Sequence, residues 1–124
     1  MLEIIAVGLG GFIGAISRYL IGVSILRNYS GFPTHTLFVN TLGCLFFGII
    51  INHSFSSQAN LLLRKFIIIG ALGGFTTFST FSYEFLNFIQ KNQIQIAIIY
   101  IILSIVLGSL AIFAGIKLNQ IYSN

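Results

Sequence analysis

Charged side chains are scarce in this chain. Of its 124 residues, six are Lys or Arg and two are Asp or Glu, so charged residues make up 6%, against about 25% in soluble domains. Hydrophobic residues make up 56%, and the mean hydropathy is +1.00. A surface this poor in charge excludes a water-soluble domain and indicates an integral membrane protein. The net charge of +4 is modest and scattered, so we expect no nucleic-acid partner.

Cysteine and proline each occur once. Cys44 has no second cysteine to pair with, so an intrachain disulfide is excluded, and we expect it to pack as a small hydrophobe. The single proline, Pro33, lies in a polar connection, residues 28–35. Two further connections, 54–60 and 91–93, are also short and polar. Little of the chain therefore lies outside apolar stretches.

Four apolar stretches occupy most of the length. They cover residues 2–26, 36–53, 61–90 and 94–118. Each is near or above the roughly 20 residues that cross a bilayer as a helix. The first has Glu3 before its apolar run in place of a basic segment, which favours a retained helix over a signal peptide. We therefore expect residues 1–124 to form one all-α domain of four transmembrane helices, in the cell inner (plasma) membrane.

The third stretch contains the most informative segment, Gly73 to Glu84. It combines two glycines, five Ser or Thr hydroxyls and a carboxylate. A lipid-facing helix gains nothing from such groups, so we expect them to face a protein interior or an aqueous path. The double glycine, Gly73 and Gly74, predicts a break in the helix there. Carbonyl oxygens freed by a break can bind an alkali cation.

Helical spacing after the break sorts the side chains into two neighbouring stripes. One is aromatic and the other is polar: Phe78, Phe81 and Phe85; and Thr77, Thr80 and Glu84. An aromatic stripe is usually core. Beside hydroxyls, however, ring edges are possible partners for a small anion, because the edge of an aromatic ring is electropositive. On the fourth helix, Tyr100, Ser104 and Gly108 recur every four residues and form a narrow polar track.

Polar residues in the first two helices have two interpretations each. Arg18 either reaches the lipid headgroups or lies in a water-filled vestibule that attracts anions. Asn40 either bridges helices or donates a hydrogen bond into a pathway. His35 and His53 flank the second helix, where we expect an interfacial position without a ligand role. The pairs Gly10/Gly14 and Gly70/Gly74 permit close helix packing, within one protomer or between protomers.

Three motifs together resemble one membrane protein family. They are Gly10 to Tyr19, Thr36 to Gly43 and Gly73 to Glu84. In this order, and with four spans, the sequence is similar to the Fluc-type fluoride channels, also called the CrcB family. The resemblance implies a fluoride channel that is not an enzyme. It also implies an antiparallel, dual-topology homodimer with two fluoride pathways and a structural sodium ion on the dimer axis.

The resemblance also implies roles for individual residues. The backbone carbonyls of Gly73 and Thr76 from both subunits would hold sodium. Phe78 and Phe81 would present ring edges to fluoride, and Asn40 would donate a hydrogen bond to it. The remaining expected pathway residues are hydroxyl-bearing or charged: Ser79, Thr80, Tyr100 and Ser104 in the polar track, Glu84 along the permeation route, and Arg18 in the vestibule. Gly108 stands where family members can carry another serine.

The distribution of basic residues agrees with insertion in both orientations. Three basic residues would share one side of the membrane and two the other: Arg64, Lys65 and Lys117 against Arg27 and Lys91. Such a slight excess does not fix one orientation. A small multidrug exporter of similar size is the alternative, but it needs a deep carboxyl group to exchange protons, and only Glu84 is a candidate. A non-transporting assembly subunit is a second alternative.

Overall fold

The computed structural model describes residues 1–24, 31–51 and 58–123 of the chain. Its helices are α1 (Leu2–Ser24), α2 (Thr34–Ile51), α3 (Gln58–Arg64), a π-helical segment (Lys65–Leu72), α4 (Gly73–Phe75), α5 (Phe78–Gln90) and α6 (Ile94–Ser123). Four stretches are long and apolar enough to cross a membrane: Leu2–Val23, Thr34–Ile51, Asn60–Gln90 and Ile94–Ile121. The predicted all-α architecture with four spans is confirmed.

The third span, from α3 to α5, is interrupted by two extended residues. Thr76 has φ −78° and ψ 157°, and Thr77 has φ −147° and ψ 114°. The predicted break therefore exists, but its predicted position at Gly73 and Gly74 is wrong. Gly73 is helical, with φ −63° and ψ −37°, and Gly74 lies within α4. The interruption begins two residues after Gly74 and does not use the conformational freedom of glycine.

Close contact with α1 explains Gly70 and Gly74 of the third span. A Cβ atom on Gly74 would lie 2.5 Å from the Gly11 carbonyl oxygen, and one on Gly14 would overlap the Ala71 carbonyl oxygen. Gly10 and Gly70 face each other in the same interface. The small residues thus let two backbones approach closely inside one protomer. Of the two interpretations of the glycine pairs, packing within the protomer is the one the structure adopts.

Helices α2 and α6 form a second close pair. A Cβ atom on Gly48 would overlap the Ile112 carbonyl oxygen, and one on Gly115 would overlap that of Leu45. The Asn119 side chain donates a hydrogen bond to the Ile49 carbonyl near the end of α2. At the same end of the molecule, the Lys65 ammonium pairs with the Glu3 carboxylate at 2.5 Å. These contacts fix α2 against α6 and the third span against α1.

An aromatic cluster at the other end joins α5 to α6. Its buried members are Phe88, Ala97 and Tyr100, and partly buried residues packed on them are Phe32, Leu37, Phe81, Phe85 and Ile96. Tyr100 is completely buried. Most other large apolar side chains are exposed on the protomer, as expected where lipid tails replace water as solvent. The cluster therefore anchors the second half of the broken span.

Candidate functional site

Asn40 bridges from α2 to the break in the third span. Its Nδ2 donates to the Thr77 carbonyl oxygen at 3.0 Å, and its Oδ1 accepts from the Thr77 amide at 2.8 Å. Both backbone polar groups of an extended residue are thereby satisfied by a single side chain, in a region where water is scarce. Asn40 thus has the helix-bridging role, and one of its two amide hydrogens remains for another partner.

Thr77 begins α5 as its N-cap. Its Oγ1 accepts a hydrogen bond from the Thr80 amide at 3.2 Å and donates to the Thr80 hydroxyl at 2.9 Å. The exposed Ser79 hydroxyl lies 3.4 Å from the same oxygen. A side-chain cap of this kind satisfies one of the free amides at a helix start. Three hydroxyls, those of Thr77, Ser79 and Thr80, are therefore grouped at the start of α5.

The break also frees a backbone carbonyl on the other side of the extended residues. In an unbroken helix, the Thr77 amide would donate to the Gly73 carbonyl, but here it donates to Asn40. Gly73 is exposed on the protomer, and a Cβ atom built on it would meet no atom within 4 Å. Gly73 and Thr76 both line a surface groove of about 280 Å³. A neutral oxygen thus becomes available where the backbone is accessible.

Glu84 is held by hydroxyls from two other helices. The Thr36 hydroxyl donates to Oε1 at 2.9 Å, and the Tyr100 hydroxyl donates to Oε2 at 2.7 Å. The side chain of Glu84 is 15% exposed. Hydrogen bonds to a carboxylate are among the stronger ones in proteins. They fix this carboxylate between α2 and α6.

Arg18 lines an open cavity of about 230 Å³ that also includes Thr36, the partner of Glu84. The other lining residues come from α1, α2 and the region of the break: Tyr19, Gly22, Val23, His35, Thr36, Val39, Thr77 and Thr80. Arg18 is half-buried. The cavity therefore connects a cation on α1 with the hydroxyls at the start of α5.

The aromatic stripe extends from this region to the surface of the protomer. Phe78 is 79% exposed, and its ring centroid lies 5.8 Å from that of Phe81 at an interplanar angle of 34°. Phe81 in turn lies 5.0 Å from Tyr100 at 49°. The stripe thus combines a buried end, which is ordinary core, with an exposed end.

The polar track on α6 offers fewer free hydrogen-bond donors than its spacing predicts. The Ser104 hydroxyl donates to the Tyr100 carbonyl at 2.7 Å within its own helix, as hydroxyls in membrane helices often do. Its oxygen can still accept a hydrogen bond. Gly108 is buried, and a Cβ atom there would lie 3.4 Å from Cys44 Sγ. Tyr100 is therefore the residue of the track whose hydroxyl reaches the third span.

Comparison with known proteins decides the family. A family model described as "CrcB-like protein, Camphor Resistance (CrcB)" matches residues 5–116, from near the start of α1 to within α6. The chain belongs to the CrcB family. As a CrcB protein with four apolar helices, it is a multi-pass protein of the cell membrane.

Three relatives of this CrcB protein share one name. It is 44% identical over 107 residues to the "Fluoride-specific ion channel FluC" of Ruminiclostridium cellulolyticum, which covers 85% of this chain and 82% of the relative. It is 42% identical over 123 residues to the protein of that name from Clostridium perfringens, covering 98% and 96%. A Rhizobium meliloti protein of that name is 38% identical over 124 residues, covering 97% and 98%.

Two residues of this CrcB protein belong to the site although neither was predicted to have a role in it. Thr36 is 1% exposed and donates to Glu84. Its spacing from Asn40 and Gly43 places all three on one face of α2, a signal that was available in the sequence. His35, expected at the interface without a ligand role, contacts Thr36 and Glu84. His53 and Arg27 lie outside the described residues.

Proposed function

We propose that this protein is a fluoride-selective channel through which fluoride leaves the cell passively. The names of its relatives support the permeant ion. The structural observation that carries the proposal is the cavity in which Arg18 meets the hydroxyls of Thr36, Thr77 and Thr80. Because the Thr36 hydroxyl donates to Glu84 and the Thr77 hydroxyl donates to Thr80, the Thr80 hydroxyl is the neutral donor that this cavity offers an anion beside the Arg18 cation.

The cavity is the entrance of the proposed pathway. Arg18 carries a positive charge next to a partly enclosed space, and charge in such a space raises the local concentration of the opposite ion. This supports a vestibule role for Arg18 over anchoring to headgroups. Thr80, which is half-buried at the base of the cavity, gives fluoride its first hydroxyl partner.

Selectivity follows from the kind of donors beyond the cavity. Fluoride is small and strongly hydrated, so a selective path must replace its water with several partners and still release it. The second amide hydrogen of Asn40 is one such donor. The ring edges of Phe78 and Phe81 offer weak electropositive contacts. Ser79 adds a hydroxyl to the proposed path, and Ser104 donates to fluoride there once it releases its bond to the Tyr100 carbonyl.

Glu84 and Tyr100 lie along this route. The hydroxyls of Thr36 and Tyr100 offset part of the negative charge of Glu84 and fix its orientation. A proton-coupled multidrug exporter would need a carboxyl group free to exchange protons with its substrate. Glu84 is instead bound by two donors, so the geometry favours a channel over that alternative.

The functional unit is an antiparallel, dual-topology homodimer with two pathways. Two observations support a second copy against the break. Phe78 is 79% exposed, and the Gly73 backbone faces an open groove. The near balance of basic residues between the two sides supports opposite orientations.

Backbone oxygens at the break fit a structural sodium ion. The Gly73 carbonyl has lost its helical partner because Asn40 takes the Thr77 amide, and Thr76 is extended. Neutral carbonyl oxygens are suitable ligands for an alkali cation. The carbonyls of Gly73 and Thr76 from both copies would hold the ion, which would thereby link the broken spans of the two copies. The sodium ion would be structural and would not move with fluoride.

The biological role follows from the chemistry of hydrogen fluoride. The neutral acid crosses a membrane and dissociates in the less acidic cell interior, where fluoride is trapped as an anion. A channel lets it leave down its electrochemical gradient, because the interior is electrically negative. The pathway requires neither a nucleotide nor a covalent step.

An efflux assay tests the function. Liposomes that contain only this protein are loaded with potassium fluoride, valinomycin is added, and an electrode records external fluoride. We expect release that requires the protein and a much slower release of chloride from vesicles loaded with potassium chloride. Fluoride release equal to that of protein-free vesicles rejects the channel, and equal chloride release rejects selectivity.

A further inference from the structure

His35 is the basic residue that contacts the Glu84 carboxylate in the described part of the chain. Its Nε2 lies 3.7 Å from Glu84 Oε1 and 3.1 Å from Thr36 Oγ1. The side chain is 30% exposed and lines the Arg18 cavity. It is therefore both in contact with the carboxylate and open to the aqueous entrance.

The number of hydroxyl hydrogens determines the direction of the hydrogen bond between His35 and Thr36. A threonine hydroxyl has one hydrogen, and that of Thr36 is donated to Glu84. The contact between Thr36 Oγ1 and His35 Nε2 must therefore be donated by the ring. His35 thus keeps a hydrogen on Nε2 in both charge states, and a further proton on Nδ1 turns it into a cation beside Glu84.

The charged and titratable groups around this ring come from three other helices. Arg18 and Tyr19 of α1 line the same cavity. Glu84 of α5 is the acidic group, and Tyr100 of α6 is bound to the other oxygen of that carboxylate. Histidine is the residue type whose charge responds to pH near neutrality, which singles out His35 among these groups.

We propose that protonated His35 neutralises and positions Glu84, so that fluoride flux through this channel rises as the pH falls from 8 to 5.5. With neutral His35, the carboxylate leaves a net negative charge beside the anion path. With protonated His35, the pair carries no net charge, and the repulsion of fluoride is reduced. His35 acts through Glu84 and is a positioning residue of the pathway.

The inference rests on the proposed function, and two substitutions separate charge from shape. His35→Gln keeps a polar side chain that does not titrate, and His35→Lys carries a charge throughout this pH range. His53→Gln is the matched control, because it removes the other histidine of the chain. Efflux from liposomes is measured from pH 8 to pH 5.5, with the leak of protein-free vesicles subtracted at each pH.

We expect the flux of the unchanged protein to rise on the order of fivefold over this range, the rate change equivalent to ~1 kcal/mol. His35→Gln should remain near the alkaline level at every pH, and His35→Lys near the acidic level. His53→Gln should retain the rise. Size-exclusion chromatography identifies a variant that fails to fold, and the Gln and Lys variants are each sufficient to test the inference.

The outcomes distinguish the two proposals. No protein-dependent flux at any pH overturns the channel and this inference together. Fluoride flux with the same pH response in His35→Gln as in the unchanged protein overturns only the role of His35. Loss of the response in His53→Gln also overturns it, because the response would then not belong to His35.

Discussion

The Asn40 side chain supplies Thr77 with the two backbone hydrogen bonds that a continuous helix would otherwise provide. It binds both the amide and the carbonyl of this residue, at 2.8 Å and 3.0 Å, across 37 positions of sequence. The break in the third span is therefore held open from α2. The bond from the Thr77 amide to Asn40 leaves the Gly73 carbonyl without its helical donor. The bond from Asn40 Nδ2 to the Thr77 carbonyl places the side-chain amide of Asn40 beside the start of α5.

Asn40→Asp tests this relationship. The carboxylate can accept from the Thr77 amide but has no hydrogen for the Thr77 carbonyl. A buried carbonyl left without a donor costs about 1–3 kcal/mol, and the new negative charge repels fluoride. We expect fluoride efflux from liposomes to fall at least about tenfold, which corresponds to ~1.4 kcal/mol in the barrier.

Asn87→Asp is the control for that substitution. It makes the same chemical change on α5, near the end of that helix. We expect it to retain most of the fluoride flux. An Asn40→Asp variant that conducts as well as Asn87→Asp would remove Asn40 from the pathway.

Two rings of the aromatic stripe, those of Phe78 and Phe81, differ in how their loss should affect the stability of the protomer. Phe78 is 79% exposed, whereas Phe81 packs on the buried Tyr100. We expect Phe78→Ile and Phe81→Ile each to reduce fluoride flux about two- to tenfold, as for the loss of a ring contact of ~0.5–1.5 kcal/mol. Only Phe81→Ile should also lower the Tm in detergent.

Phe113→Ile is the matched control for the rings, since Phe113 is 60% exposed on α6 and has no place in the proposed pathway. Its flux should equal that of the unchanged protein. Unchanged flux in both Phe78→Ile and Phe81→Ile would exclude ring edges from the mechanism.

The four spans were predictable because hydropathy and length act locally. The stretch predicted over 36–53 overlaps most of α2, which begins two residues earlier, at Thr34, and ends two residues earlier, at Ile51. The position of the break was not predictable in the same way. Gly73 and Gly74 carry a local signal for a break, but both are helical, and Gly74 packs closely on Gly11 of α1. Asn40, on a different helix, binds the extended Thr77.

The site was predictable as a set of residue types but not as a set of contacts. Thr36, Glu84 and Tyr100 lie on three helices, 48 and 16 positions apart along the chain from Glu84. Spacing within one helix states which residues share a face, but it does not state which way that face is turned. The contact of His35 with Glu84 depends on that rotation as well.

The two hydroxyls that hold Glu84 should act as a unit. Thr36→Val and Tyr100→Phe each remove one donor to the carboxylate and keep the size of the side chain. We expect each to lower fluoride flux because Glu84 becomes less neutralised. In the double variant, the effects should depart from additivity by about 0.5–3 kcal/mol, as is typical of residues in one hydrogen-bond network.

The control cycle pairs Thr36→Val with Ser82→Ala, because the Ser82 hydroxyl bonds only back to Phe78 of its own helix in the described contacts. The effects of that pair should add. Additive effects of Thr36→Val and Tyr100→Phe on flux would mean that the two hydroxyls do not act through a shared carboxylate.

Packing of α1 on the third span predicts opposite effects for two glycines of one helix. A Cβ atom on Gly14 would overlap the Ala71 carbonyl oxygen, whereas one on Gly8 meets no atom within 4 Å. Gly14→Ala should destabilise the protein by about 1–3 kcal/mol. Gly8→Ala should be neutral or stabilising by up to ~1 kcal/mol, since Ala favours helix. Tm in detergent is the measurement, and equal Tm values would contradict this interface.

Dual topology predicts half-labelling at both ends of the molecule. Lys91 lies between α5 and α6, and the exposed Ile121 lies near the other end of α6. In a Cys44→Ala background, Lys91→Cys and Ile121→Cys each provide one cysteine. Because the basic residues of the two sides nearly balance, we expect copies to insert both ways. A membrane-impermeant maleimide added to spheroplasts should therefore label about half of each variant. Full labelling of one variant with none of the other would establish a single orientation and exclude an antiparallel dimer.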